Sequence, residues 1–182
     1  LGSAGHVVTY AIRNGEALNV VAVIGDEPKA GGPGGEALWR RLGNWAKPIQ
    51  AMIDAAATWQ AWPISTVDPA GPWTDGRFAL LGDAAHAMAP FLAQGGAMAV
   101  EDAAVLARHL AANRHDPTAA LAAYAAERRP RVRRVWKAAA TTADLYHMGL
   151  LTGAVRNAGM RFLGGRALLN RYAWIYGWTP DG

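Results

Sequence analysis

Leu80-Leu81-Gly82-Asp83-Ala84-Ala85-His86-Ala87-Met88-Ala89-Pro90-Phe91-Leu92-Ala93-Gln94-Gly95-Gly96-Ala97-Met98-Ala99-Val100-Glu101-Asp102-Ala103 is the stretch that decides the fold. A short apolar run ends in Gly-Asp, a loop with one proline and paired glycines follows, and apolar residues at helical spacing begin at the glycines. A carboxylate at a strand end and bare N–H groups at a helix start are the parts from which a cofactor cradle is made. Gly82 leaves room for close approach of a ligand, and Asp83 is able to accept two hydrogen bonds from vicinal hydroxyls. Taken alone, a Gly-Asp pair reads equally as a turn or a cap. Gly95 and Gly96 at the helix start favour an acceptor carrying negative charge by about 0.3–2 kcal/mol. Pro90 fixes the loop, lacks an N–H, and is expected to leave its carbonyl free to face a pocket. Glu101 and Asp102 read as caps or as partners of neighbouring charges, and His86 as structural.

Outward from this run the chain is a mixed α/β sequence. Residues 6–13 and 18–24 are β-branched runs around Asn14-Gly15-Glu16, a hairpin signal. Residues 25–35 are a loop by composition, and their glycines do not make G-x-G-x-x-G. Leu38, Leu42, Trp45, Ile49, Met52 and Ile53 recur at helical spacing, with Pro48 expected to end one helix and open another. Trp59 to Val67 reads as extended, 68–72 as a turn, and Arg77 to Leu81 as a short buried strand. Residues 97–112 form a helix. Asp116-Pro117 opens another, with Asp as N-cap and Pro at the first helical position, and Pro130 is expected to bend or break it.

His6 and Tyr10 stand four residues apart on the first predicted strand, so both project from one sheet face. An imidazole suits proton removal from a phenol near neutral pH, and a neighbouring phenol side chain suits a hydrogen bond to the same substrate. A half-exposed sheet histidine and tyrosine is the plainer reading of the same spacing.

Bulk properties bound the function classes. The chain has 182 residues, 52% of them hydrophobic and 18% charged, which is ordinary for a globular protein. It has no cysteine, which excludes disulfides, thiolate metal sites and a cysteine nucleophile, and no metal site is expected. No signal-peptide pattern and no run of about 18 apolar residues is found, so a cytoplasmic protein without a membrane span is expected. A net charge of +4 draws heavily on Arg128, Arg129, Arg131, Arg133, Arg134 and Lys137. That cluster reads as a solvated helix face; the alternative is a helical polyanion-binding protein.

The Gly82 to Asp102 run, with Tyr124-Ala-Ala-Glu-Arg-Arg-Pro-Arg-Val and Trp174-Ile-Tyr-Gly, resembles the FAD-dependent aromatic hydroxylases, single-component flavoprotein monooxygenases of the salicylate hydroxylase kind. The resemblance implies FAD as cofactor, NADH or NADPH and O2 as co-substrates, and a small aromatic substrate. It implies that Gly82, Asp83, Gln94, Gly95, Gly96 and Ala97 bind the flavin, with Asp83 on the ribityl chain. It also implies that Pro90 lines the substrate site, that His6 is the base and that Tyr10 is a substrate hydrogen bonder. The strand G-x-G-x-x-G helix unit for the ADP half and the Asp-Gly motif of this family are absent. Thr58-Trp-Gln-Ala-Trp-Pro-Ile departs from the acidic or basic residue common before its proline. The expected organisation is therefore a C-terminal half: 1–67 part of a substrate-binding domain, 68–112 part of a Rossmann-like FAD-binding domain, and 113–182 a helical region. A missing N-terminal half becomes the expected partner, a homodimer is a further possibility, and the chain alone is expected to be inactive. The alternative is a non-catalytic truncated or split-protein fragment.

Overall fold

The computed structural model describes residues 1–25 and 34–180, which form two compact units. Most of the glycine-rich loop expected over 25–35 lies outside the described residues.

The first unit comprises Leu1–Ile64 and Asp144–Ala158. In it β1 (Gly5–Ile12) and β2 (Ala17–Ile24) form an antiparallel pair, with His6 opposite Val23, Val8 opposite Val21 and Tyr10 opposite Asn19. The connecting turn holds Arg13, Asn14 and Gly15 at φ of 51, 56 and 92°, a left-handed path that Asn and Gly adopt readily. Alternation then sorts the strands into two faces. Val7, Ala22 and Ile24 turn towards α1 (Gly35–Leu42) and α2 (Lys47–Ala55), packing on buried Leu38, Leu42 and Ile53. On the opposite face Val8, Tyr10, Ile12 and Val21 are exposed, while His6 at its end is buried. Pro48 sits in the first turn of α2, where its missing N–H removes no helical bond, and so it opens a helix as the sequence predicts.

The second unit comprises Ser65–Ala143 and Gly159–Gly182. The hairpin of β3 (Thr74–Asp75) and β4 (Phe78–Ala79) leads through Gly82 into the single turn α3 (Asp83–His86). It is followed by α4 (Gly95–Ala112) and α5 (Pro117–Tyr146), and by the later part of α6 (Leu150–Tyr176). Trp73, Met98, Val105, Tyr124, Val132 and Val135 form the buried centre, joined by Trp174 and Trp178. The N-cap expected at Asp116 is present: its carboxylate accepts the Ala119 N–H at 3.0 Å and its carbonyl the Ala120 N–H at 3.1 Å. Asp116→Ala is expected to cost about 1 kcal/mol in urea unfolding and Asp116→Asn much less; equal losses would mean the side-chain acceptor is not what stabilises this end.

Three expectations are corrected here. The buried strand over 77–81 shrinks to Phe78–Ala79, because its partner β3 is only two residues long; Phe78, Leu80 and Leu81 are exposed. Pro130 does not break α5. A proline removes one helical N–H bond, and this one lies between the buried anchors Arg128 and Val132. The basic cluster is not simply a solvated face. Arg128 is buried, Arg129 donates to the Ala70 and Gly71 carbonyls, Arg131 donates to the Trp174 and Ile175 carbonyls, and Arg134 stacks 3.8 Å over the Trp174 ring.

Candidate functional site

In the second unit the Gly-Asp turn is built by long-range hydrogen bonds. Tyr124 donates its hydroxyl proton to the Leu80 carbonyl at 3.1 Å, fixing the chain just before the turn; burial raises that phenol's pKa and keeps it protonated. Gly82 has φ +57°, and a Cβ there would press on the Ala99 Cβ of α4 at 3.2 Å. Backbone geometry and packing against α4 thus both demand glycine at this point. The Gly82 N–H donates to Asp102 Oδ2 at 3.0 Å. That oxygen also meets His86 Nε2 at 2.6 Å, while Asp102 Oδ1 accepts from Arg128 Nε at 2.8 Å. Asp102 and His86 are fully buried, and Arg128 is 1% exposed. One carboxylate therefore ties the turn, α3, α4 and α5 together.

Burial by itself pushes the Asp102 carboxyl pKa upward. Hydrogen bonds from His86, Arg128 and Gly82 outweigh it and hold the group below the usual carboxylate range. Glu101 completes the network, meeting Arg128 at 2.7 Å and Arg131 through two contacts of 2.6 Å. From sequence Glu101 and Asp102 read as caps or partners, and nothing local marks Asp102 as the organiser. The available signal was an acidic pair on the buried stripe of α4 and arginines on the buried stripe of α5.

The turn sets Asp83 beside the start of α4. Its carboxylate is exposed and makes no hydrogen bond or ion pair among the described residues. A Cβ placed on Gly95 would lie 3.7 Å from Asp83 Oδ1, and one on Gly96 would meet nothing within 4 Å. No side chain caps α4: Gln94 at the N-cap position is buried, and its amide reaches back towards the Leu92 carbonyl. The first-turn N–H groups of Gly95, Gly96 and Ala97 are therefore donors without a side-chain acceptor. An open carboxylate next to these donors matches a ligand that presents hydroxyls on one side and an anionic edge on the other. That is the polarity pattern of a ribityl chain and a reduced isoalloxazine. The free carbonyl expected at Pro90 is corrected: it accepts the Ala93 N–H at 3.1 Å, closing a 3-10 turn. The proline ring itself is exposed.

In the first unit the ladder register puts His6 and Tyr10 on the same face of β1. Their surroundings differ sharply. Tyr10 is 53% exposed, whereas His6 is 4% exposed, with its Nδ1 3.0 Å from His147 Nε2 and its ring against Tyr146. Burial, the neighbouring His147 and the N-terminal amine all lower the His6 pKa and favour the neutral, proton-accepting imidazole.

Among the described residues no group of three or more metal-ligating side chains is found, and no helix is long and apolar enough to cross a membrane. Residues 44–139 match the model of a family described as an FAD binding domain. The chain is 37% identical to the 3-amino-4-hydroxybenzoate 2-monooxygenase PtmB3 of Streptomyces platensis, across 97% of this chain and 46% of that protein. It is 33% identical to the 3-hydroxybenzoate 6-hydroxylase 1 of Aquipseudomonas alcaligenes, across 96% and 44% respectively. The crystal structure of a singly substituted Klebsiella pneumoniae HpxO complexed with FAD is similar at a TM-score of 0.69 and 31% identity, covering 86% of this chain and 42% of that one. The chain spans less than half the length of these two relatives.

Proposed function

Since the chain belongs to the FAD binding domain family, we propose that it supplies the ring-end flavin site and the substrate sheet of an FAD-dependent monooxygenase hydroxylating a small phenol or aromatic acid. The observation that carries this is the open Asp83 carboxylate beside the uncapped start of α4. FAD, when bound, supplies the oxygen-activating redox chemistry. The chain's own residues would hold it: Asp83 would accept from ribityl hydroxyls, and the N–H groups of Gly95, Gly96 and Ala97 would serve the anionic ring. Gly82 and Gln94 shape the turn and the helix start. The proline ring of Pro90 forms part of the substrate wall. His6 removes the phenolic proton, which makes the ring electron-rich, and Tyr10 donates a hydrogen bond to the substrate.

Reduced nicotinamide cofactor and O2 are the co-substrates in this reading, and the cytoplasm, where such reductants are abundant, is its setting. An N-terminal ADP-binding half is the partner. The exposed face of Val8, Tyr10, Ile12 and Val21, and separately the exposed Phe78, Leu80 and Leu81, support such a covering partner. Exposed Phe162 and Leu169 on α6 support a homodimer.

The test is reconstitution with the N-terminal half of a related hydroxylase. The mixture is expected to retain yellow flavin through gel filtration. Asp83→Ala removes the acceptor of a charge-assisted hydrogen bond of about 1.5–3 kcal/mol, so FAD affinity is expected to fall roughly 10- to 100-fold. Equal FAD retention by wild type and variant would remove Asp83 from the site.

A further inference from the structure

We propose that His6 and His147 form a two-imidazole proton relay, in which His6 is the inner ring that takes the substrate proton and His147 the outer ring that delivers it to water. The inference rests on the reading of His6 as the base and extends it to a residue 141 positions further along the chain.

Three observations carry it. First, His6 Nδ1 and His147 Nε2 stand 3.0 Å apart, a distance that holds one shared proton. Second, the rings differ in access: His6 is almost wholly buried, whereas His147, just beyond the end of α5, is half-buried. A proton accepted at His6 therefore needs a carrier, and the adjoining ring is the one that reaches towards solvent. Third, the Tyr146 ring packs edge-on against His6 at 5.3 Å and fixes its plane, while Val23 across the strand is apolar. Among the described residues, the titratable groups facing His6 include His147 and Tyr146.

The step balances without any further reagent. The substrate O–H bond breaks as an N–H bond forms at His6 Nε2. The His6 Nδ1 proton crosses to His147 Nε2, and the His147 Nδ1 proton leaves to water. Both rings end neutral with their tautomers exchanged. Reverse transfer returns a proton to the product oxygen and resets the pair. His147 acts through His6 and is a positioning and relay residue.

Nitrogen-15 NMR of the histidines in the full chain tests the pair without flavin. Wild type is expected to titrate His6 below the ordinary histidine range, coupled to the ring beside it. His147→Gln, whose amide oxygen accepts the Nδ1 proton but cannot pass one on, is expected to leave a single step for His6 at higher pH. His147→Ala is expected to raise it too. An unchanged His6 midpoint in both variants overturns the pair. In the reconstituted hydroxylase, His147→Gln is expected to lower kcat by at least about tenfold with KM unchanged, and added imidazole to restore it. An unchanged kcat, or no recovery with imidazole, overturns the relay. Failure of the base reading would show differently: His6→Ala would leave rate and pH profile untouched while the coupled titration in wild type remained.

Discussion

Replacing Arg128 with Met is expected to lower the unfolding free energy of the chain by about 3–5 kcal/mol, the usual cost of removing one member of a buried ion network. Met fills a similar volume, so the loss reports charge rather than a cavity. The guanidinium serves Asp102 at 2.8 Å and Glu101 at 2.7 Å, and it lies against the Trp178 ring at 5.3 Å. Without it, the fully buried Asp102 keeps only the Gly82 N–H and His86. The pH dependence identifies the group. With its folded pKa depressed, Asp102 contributes stability that is complete above its unfolded value near about 3.9 and is lost as pH falls through the folded value. In the Met variant one of the hydrogen bonds that offset burial is gone, so the folded value rises and protonation at low pH relieves part of the penalty. The deficit is therefore expected to be largest near neutrality and to narrow below about pH 4. Urea unfolding of both proteins at neutral and acid pH measures this. A deficit of the same size at both pH values would show that no buried carboxylate is left stranded.

The second large effect concerns His6. In the reconstituted hydroxylase, His6→Ala is expected to lower kcat by about 10²–10⁴, the range for a positioned general base. The wild-type rate is expected to fall as pH drops through the lowered His6 pKa, because only the neutral ring accepts a proton; burial and His147 put that fall below the ordinary histidine range. The variant is expected to lose this acid limb and to recover rate at alkaline pH, where the phenol ionises unaided. A wild-type pH profile without an acid limb, or one retained intact by the variant, would assign proton removal to another group. Tyr10→Phe, which touches a different atom, is expected to raise KM without moving that limb.

The features legible in the sequence are those fixed by neighbours in the chain. Asn14-Gly15 announces its hairpin because the required left-handed backbone is a property of those two residues. Asp116-Pro117 announces a helix start for a similar reason, and Gly95-Gly96 marks the beginning of α4 within a residue or two. What was not legible depends on partners far along the chain. The length of β4 is set by how much of β3 lies opposite it. The tolerance of Pro130 comes from the anchors on either side. The buried role of Asp102 needs Arg128 in another helix, and the environment of His6 needs His147, at the other end of the same unit's two segments. The Pro90 carbonyl went astray more locally: a left-handed Ala93 at φ +52° closes a turn that composition alone does not suggest.

The stacking of Arg134 on Trp174 and the hold of Arg131 on the carbonyls of Trp174 and Ile175 separate two quantities that composition merges. An isoelectric point near 9.8 counts every guanidinium alike. The outward field counts only charge that is not already answered by a carboxylate, a carbonyl or an aromatic face close by. In this chain Arg128, Arg129 and Arg131 act as internal rivets, so its behaviour on a charged resin is governed by a smaller, differently placed set of cations than its titration curve implies.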